Sequence, residues 1–131
     1  MSDSAFDDMP LIYQYTRQQA IEDGVLVDLT EWARETGFTI PVACTATVWN
    51  GFVVPPEHLR ELGQSERGRA HDLLWMLFLS IRRCRDNTDQ LSYQVVFLQD
   101  HDRHETVTFK SICGPGDQAE PVVTVMMPDE D

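Results

Sequence analysis

Positive charge is scarce in this sequence. The chain has 10 Lys and Arg against 22 Asp and Glu, which gives a formal net charge of −12 at pH 7. A surface that neutralises phosphates has to be basic, so we expect no direct binding to DNA, RNA or anionic lipid. The imbalance favours a protein partner with a basic surface, although an acidic composition that only serves solubility is the plainer interpretation.

Long apolar runs are also lacking. The longest block, LLWMLFL (73–79), is far shorter than the roughly 20 residues that a helix needs to cross a bilayer. The acidic stretch 1–10 has neither the basic region nor the apolar region of a signal peptide. These absences predict a cytoplasmic protein without membrane contact.

Cysteine and metal-site patterns are few. Cys44, Cys84 and Cys113 are far apart and form no CxxC pair, which predicts reduced and mostly buried thiols. The segment DHDRHE (100–105) has two histidines beside carboxylates, too few ligands for a closed zinc site. GPGD (114–117) lacks the lysine and helix start of an anion-binding loop. We therefore expect no metal, no cofactor, no catalytic residues and no enzymatic activity.

The excess negative charge is unevenly distributed. Residues 1–35 hold eight acids and two arginines, and residues 100–131 hold eight acids and two basic residues. Residues 36–99 hold six of each sign and are neutral. If the two terminal thirds lie side by side, they form one acidic face, and the neutral middle supplies the core.

Capping residues predict short helices near the N-terminus. Thr16 and Gly24 have the positions of an N-cap and a C′ glycine around one helix. Thr30 is expected to cap a second helix that Gly37 stops, and residues 57–64 have the composition of a further helical turn.

A longer helix is predicted from Ser65 to about Arg85. Apolar residues recur on one face with helical spacing. They are Ala70, Leu73, Leu74, Leu77, Ile81 and Cys84. Because other apolar residues fill most of the remaining surface of this segment, we expect a central core helix. Arg82, Arg83 and Arg85 close its last turn, where positive charge complements the helix dipole.

The stretch FTIPVACTATVWNGFVVPPE (38–57) is ambiguous. Its valines and threonines favour a strand. Pro41 at the position of a helix start, with Val42, Ala46 and Trp49 on one helical face, favours a helix. Helix is the interpretation that we prefer.

The last third of the chain predicts strands at 91–98, 105–112 and 121–128, joined by DHDRH and GPGDQAEP. VLVDL (25–29) is a candidate fourth strand. We therefore predict an α+β fold, with a three- or four-stranded antiparallel sheet packed on a central long helix and shorter N-terminal helices. Residues 1–131 form a single domain in this interpretation, with 1–10 as a flexible acidic arm.

Carboxylates in the loops between the predicted strands are the candidate partner-binding residues. Asp100, Asp102 and Glu105 cluster at the first hairpin tip, and Asp117 and Glu120 lie in the next loop. Successive loops of a meander lie at opposite ends of a sheet, so a continuous patch requires carboxylates from the N-terminal third.

Four segments carry a resemblance to a known group of proteins: residues 12–38, 41–49, 72–83 and 114–131. Together they resemble a family of small uncharacterised proteins that are carried on plasmids, conjugative elements and phages of bacteria. The resemblance implies a cytoplasmic accessory protein of a mobile element and assigns no role to any residue.

That context suggests a function. Small acidic proteins of mobile elements often inhibit host defence, as anti-CRISPR and anti-restriction proteins do, and some act as DNA mimics that place carboxylates where phosphates would sit. The expected partner is then a CRISPR-Cas subunit or another defence nuclease with a basic groove. The alternative is a protein-binding adaptor or regulator for plasmid or phage maintenance.

Overall fold

The computed structural model describes residues 15–85 and 88–130, so the arm predicted for 1–10 lies outside the described residues. The helices are α1 (Arg17–Glu22), α2 (Thr30–Thr36), α3 (Ala46–Val48, followed by a π-helical turn at Trp49–Val53), α4 (Glu57–Arg60) and α5 (Glu66–Arg83). The strands are β1 (Leu26–Asp28), β2 (Val42–Thr45), β3 (Gln90–Leu98), β4 (His104–Pro115) and β5 (Pro121–Met126). The predicted α+β class is confirmed.

The strands form one five-stranded sheet in the order β1-β2-β5-β4-β3. β1 pairs antiparallel with β2, and β4 pairs antiparallel with both β3 and β5. β2 and β5 are parallel, with Ala43 opposite Thr124. The prediction of an antiparallel sheet with three or four strands is therefore wrong in strand number and in the direction of this central pair.

The fifth strand comes from the ambiguous stretch. Val42, Ala43 and Cys44 are wholly buried in β2, and only after Thr45 does the chain become helical. The Thr45 hydroxyl accepts a hydrogen bond from the Val48 backbone N–H, which begins α3. The helical interpretation of 38–57 was wrong for 42–45 because a partner strand about 80 residues later overrides local preference.

α5 is the longest helix and supplies the centre of the core, as predicted. Ala70, Leu73, Leu74 and Leu77 are wholly buried against the inner face of the sheet. The Tyr93 hydroxyl of β3 donates a hydrogen bond to the Leu73 carbonyl at 3.1 Å, so strand and helix are joined by a polar contact as well as by packing.

The apolar surface of α5 is only partly covered. Trp75 is 41% exposed and Ile81 is 43% exposed, although Ile81 was predicted on the core face. The last turn of the helix extends past the wholly buried leucines, and the space beneath it is a cavity rather than packed side chains.

The short helices begin and end close to the predicted residues. Thr16 caps α1 in a capping box with Gln19, and Gly24 follows with a φ of +79°. α2 ends at Gly37, whose φ is +130°. Its N-cap is Leu29 rather than the predicted Thr30, and the Asp28 carboxylate accepts a hydrogen bond from the Thr30 backbone N–H instead.

Candidate functional site

The β4–β5 loop is fastened to the N-terminal helix by Asp117. The two oxygens of its carboxylate accept hydrogen bonds from the backbone N–H groups of Arg17, at 2.7 Å, and Gln18, at 2.9 Å. These N–H groups have no partner within the helix because they lie in its first turn. A carboxylate about 100 residues away in sequence therefore caps α1 and fixes its position.

Arg17 anchors the same helix on the outer face of the sheet. Its guanidinium donates hydrogen bonds to the Thr124 hydroxyl at 2.7 Å and to the Val123 carbonyl at 2.9 Å. Burial lowers the pKa of Arg17, and the charges of Asp28, Asp117 and Glu120 act in the opposite direction. The cation is therefore held among carboxylates from both ends of the chain.

Together these contacts shape what we call the acidic groove, an open depression of about 340 Å³. Its charged lining consists of four carboxylates and two guanidinium groups: Asp28, Glu31, Asp117 and Glu120, with Arg17 and Arg34. Acids from the N-terminal and C-terminal thirds thus lie side by side here. The groove holds two of the five predicted partner-binding residues.

The other three predicted residues occupy the loop between β3 and β4, which we call the hairpin tip (residues 99–105). The backbone N–H of Gln99 donates to the Arg103 carbonyl at 2.8 Å and closes the turn. The Glu105 carboxylate accepts a hydrogen bond from the Gln99 side chain, and the Asp100 carboxylate accepts one from the His101 backbone N–H. Asp102 is exposed and has no hydrogen bond or ion pair with any described residue.

The acidic groove and the hairpin tip do not form one surface. They lie at opposite ends of β4, which spans 12 residues. At about 3.4 Å per residue, the two clusters are roughly 35–40 Å apart along the strand. The five predicted residues are therefore divided into a groove that is shared with the N-terminal third and a separate tip.

A second cavity lies elsewhere, between the end of α5 and the sheet, and has a volume of about 370 Å³. Phe78 and Ile81 line it from the helix, and Leu91 and Val123 line it from the sheet. Ser111 also lines it, is only 5% exposed, and its hydroxyl has no hydrogen-bond partner among the described residues. The lining is mostly apolar, and Arg82 and Asp89 also border the cavity, so size and lining suit an apolar group with polar atoms at its edge.

The three thiols were predicted to be mostly buried. Only the Cys44 thiol is buried, so the prediction is wrong for the other two. Cys113 is exposed and Cys84 is half-buried. Burial raises the pKa of Cys44 to about 12, with a smaller contribution from the charge of Glu130. Within residues 15–85 and 88–130, no three His, Cys, Asp or Glu side chains come together as a group that could hold a metal ion.

Sequence reasoning missed Arg69, which is only 3% exposed. Its guanidinium donates to the carbonyls of Phe52, at 2.6 Å, and Leu98, at 3.2 Å, and lies over the Phe97 ring. Burial lowers its pKa. A signal was present, since Arg69 precedes Leu73 by four residues and Leu77 by eight, which places it on the buried face of the helix.

In the part of the chain that the structure describes, no helix has both the length and the apolarity to span a membrane. Comparison with curated proteins and with solved structures gave no match. One family model matches residues 2–131, nearly the whole sequence. The chain therefore belongs to the family of unknown function DUF6573.

Proposed function

We propose that the protein inhibits a host defence nuclease system, of the CRISPR or restriction type, by docking the acidic groove on a basic surface of that system. The observation that carries the proposal is the meeting of acids from both terminal thirds around Arg17. The resemblance to proteins of plasmids, conjugative elements and phages supplies the class of target.

Three of the four carboxylates of the groove are held by backbone N–H groups, which favours recognition. Asp117 is fixed by two backbone N–H groups, Asp28 by the Thr30 backbone N–H, and Glu120 by the Gln118 backbone N–H. Charges that are already in place lose little conformational freedom on binding. Carboxylates held in place are what a DNA mimic offers to a phosphate-binding surface.

The electrostatics of the groove favour rapid association with a cationic partner. Four carboxylates face two guanidinium groups, and Arg17 is partly withdrawn from solvent by its bonds to β5. Within a chain of net charge −12, this surface steers a basic partner towards the groove over about a Debye length. The hairpin tip has no part in this docking surface.

The test is inhibition of DNA cleavage by purified CRISPR effector complexes and restriction nucleases. Glu31 and Glu120 are exposed, so the double variant Glu31→Lys/Glu120→Lys reverses charge in the groove at the cost of one loop hydrogen bond, from the Gln118 N–H to Glu120, and circular dichroism checks that the fold is kept. We expect inhibition to weaken at least about tenfold, a change of roughly 1.4 kcal/mol in binding free energy. Raising salt from about 50 to 500 mM, which shortens screening from roughly 14 to 4 Å, should weaken the wild type in the same direction.

The matched control is Glu57→Lys/Glu61→Lys, which makes the same charge change on exposed residues of α4 and its C-cap. It should inhibit within about twofold of the wild type at equal salt. Equal inhibition by the groove variant and the wild type would remove the groove from the mechanism. Binding to the complex without any loss of cleavage would instead support an adaptor role.

A further inference from the structure

β3 is an edge strand that lacks the usual protection within residues 15–85 and 88–130. It lies at the end of the sheet and pairs with β4 over all nine residues, from Gln90 to Leu98, without a bulge. Its sequence, QLSYQVVFL, contains no charged residue and no proline. Soluble proteins normally guard an edge of this length with lysine, proline, a bulge or a cover.

The hydrogen bonds at the two ends of the hairpin show which groups face outward. The Cys113 N–H donates to the Asp89 carbonyl at 2.7 Å, and the Gln99 N–H donates to the Arg103 carbonyl at 2.8 Å. Because hydrogen-bonded positions alternate in an antiparallel pair, the odd-numbered residues of β3 bond to β4. The backbone groups of the even-numbered residues therefore point to the open edge.

Three of these even-numbered residues have outward backbone groups with no hydrogen-bond partner in the described part of the chain. The Thr88 hydroxyl bonds to the backbone N–H and carbonyl of Gln90, and Arg69 donates to the carbonyl of Leu98. For Ser92, Gln94 and Val96, no group within 15–85 or 88–130 bonds to the outward N–H or carbonyl. Val96 is also the most exposed large aliphatic side chain of the described residues, at 55%.

We propose that β3 pairs antiparallel with β3 of a second copy of this chain, across a twofold axis at Gln94. In this register Gln94 lies opposite Gln94 of the second copy, and Ser92 lies opposite Val96 of the second copy. The backbone of each of these three residues then donates one hydrogen bond and accepts one. The contact covers the exposed Val96 and joins the two sheets edge to edge.

Charge is the reason that a second copy fits this edge. Arg82, Arg83 and Arg85 are exposed ahead of β3, and none has an ion pair with a described residue. In the same register the partner's Asp100 lies opposite Thr88, so the partner's hairpin tip, which also carries Asp102, approaches the end of β3 that follows these arginines. The twofold axis repeats the match at the other end, so unlike charges meet at both ends of a neutral strand.

The experiment is sedimentation equilibrium of the full chain over about a hundredfold range of concentration, since dimer populations follow mass action. The wild type should approach twice the monomer mass of 15.0 kDa. Val96→Lys should raise the dimer dissociation constant at least about tenfold. The matched control is Val25→Lys, because Val25 is 51% exposed and lies away from β3. It should leave the constant unchanged.

Two further variants test the register and the charge match. Gln94→Pro removes an outward N–H and a long side-chain hydrogen bond to Thr108 but leaves the backbone bonds to β4 in place, so it should abolish the dimer while circular dichroism stays native. Arg85→Asp should weaken association, and adding Asp102→Arg to it should restore association.

A wild type that stays at 15.0 kDa throughout would overturn the proposal. So would a dimer that Val96→Lys and Val25→Lys affect equally, since it would form through another surface.

Discussion

Cys44 and Cys113 show how position in the sheet decides the chemistry of one side chain. Cys44 lies on the inner face of β2 and is wholly buried, whereas Cys113 lies near the end of β4 and is exposed. Burial disfavours the thiolate and raises the pKa of Cys44 to about 12. Because the folded pKa is raised, the neutral thiol favours folding at neutral pH, and this contribution declines as pH rises towards 12.

We predict that the native protein reacts with a thiol reagent at Cys113 and not at Cys44 between about pH 7 and 9, since only the thiolate attacks. The measurement is the mass of the modified peptides before and after denaturation. In Cys113→Ser, early labelling of Cys44 at neutral pH would contradict the burial of β2. In denaturant, both thiols should react.

The burial of Arg69 was missed for a physical reason at the same scale, although its helical spacing placed it on the core face. Charged residues are rarely buried without a partner, so an arginine ahead of an apolar block is interpreted as a solvated end. Its actual partners are the carbonyls of Phe52 and Leu98, and backbone acceptors leave no mark in a sequence.

Among the elements, α5 has one rigid core face and one open end. Leu77 is wholly buried, while Ile81, one turn later, is 43% exposed beside the cavity. Helical spacing placed both residues on one face, but spacing does not reveal where the opposing layer stops. The helix was therefore predictable, and the extent of its burial was not.

We predict that Leu77→Ala lowers the free energy of unfolding by about 2–5 kcal/mol, as for other leucines that leave a cavity. Ile81→Ala, the matched change at the open end, should cost about 1 kcal/mol or less. Thermal unfolding measures both, and Leu77→Ala should lower the melting temperature by roughly 10 °C. Equal losses for the two variants would mean that both ends of the helix are equally packed.

The strands were predictable to different degrees. β3, β4 and β5 agree closely with the predicted ranges because alternating apolar residues and loop residues mark them locally. β2 was not predicted as a strand, because Val42–Thr45 is only four residues long. Its direction is set by pairing with β5, which is distant in the sequence. Non-local pairing of this kind is decided by the whole sheet.

For the whole molecule, the placement of charge was partly predictable. The neutral middle third supplies α5 and β3, and the acids of the terminal thirds meet in the groove. The predicted strand order also indicated that the acids of successive loops would be separated, and the groove and the hairpin tip do lie at opposite ends of β4. The role of Asp117 as the cap of α1 was not visible, because that contact joins residues about 100 positions apart.

We predict that the isolated protein does not retain a short DNA duplex in a gel-shift assay at physiological salt. A chain of net charge −12 repels phosphates, and its exposed arginines are too few to offset this. Retention of the duplex would contradict the expectation. The triple variant Arg82→Gln/Arg83→Gln/Arg85→Gln would then show whether the end of α5 is responsible.

The central position of β5 also bears on how the polypeptide is made. β5 joins the β1–β2 pair to the β3–β4 hairpin, and it is synthesised after the other four strands. At about 5–20 residues per second, the strands of both halves are synthesised before the strand that links them. Each half then has an exposed edge that chaperones and proteases can recognise. Translation that stops before residue 121 would leave two unconnected half-sheets, so such a truncated chain should be degraded rather than accumulate.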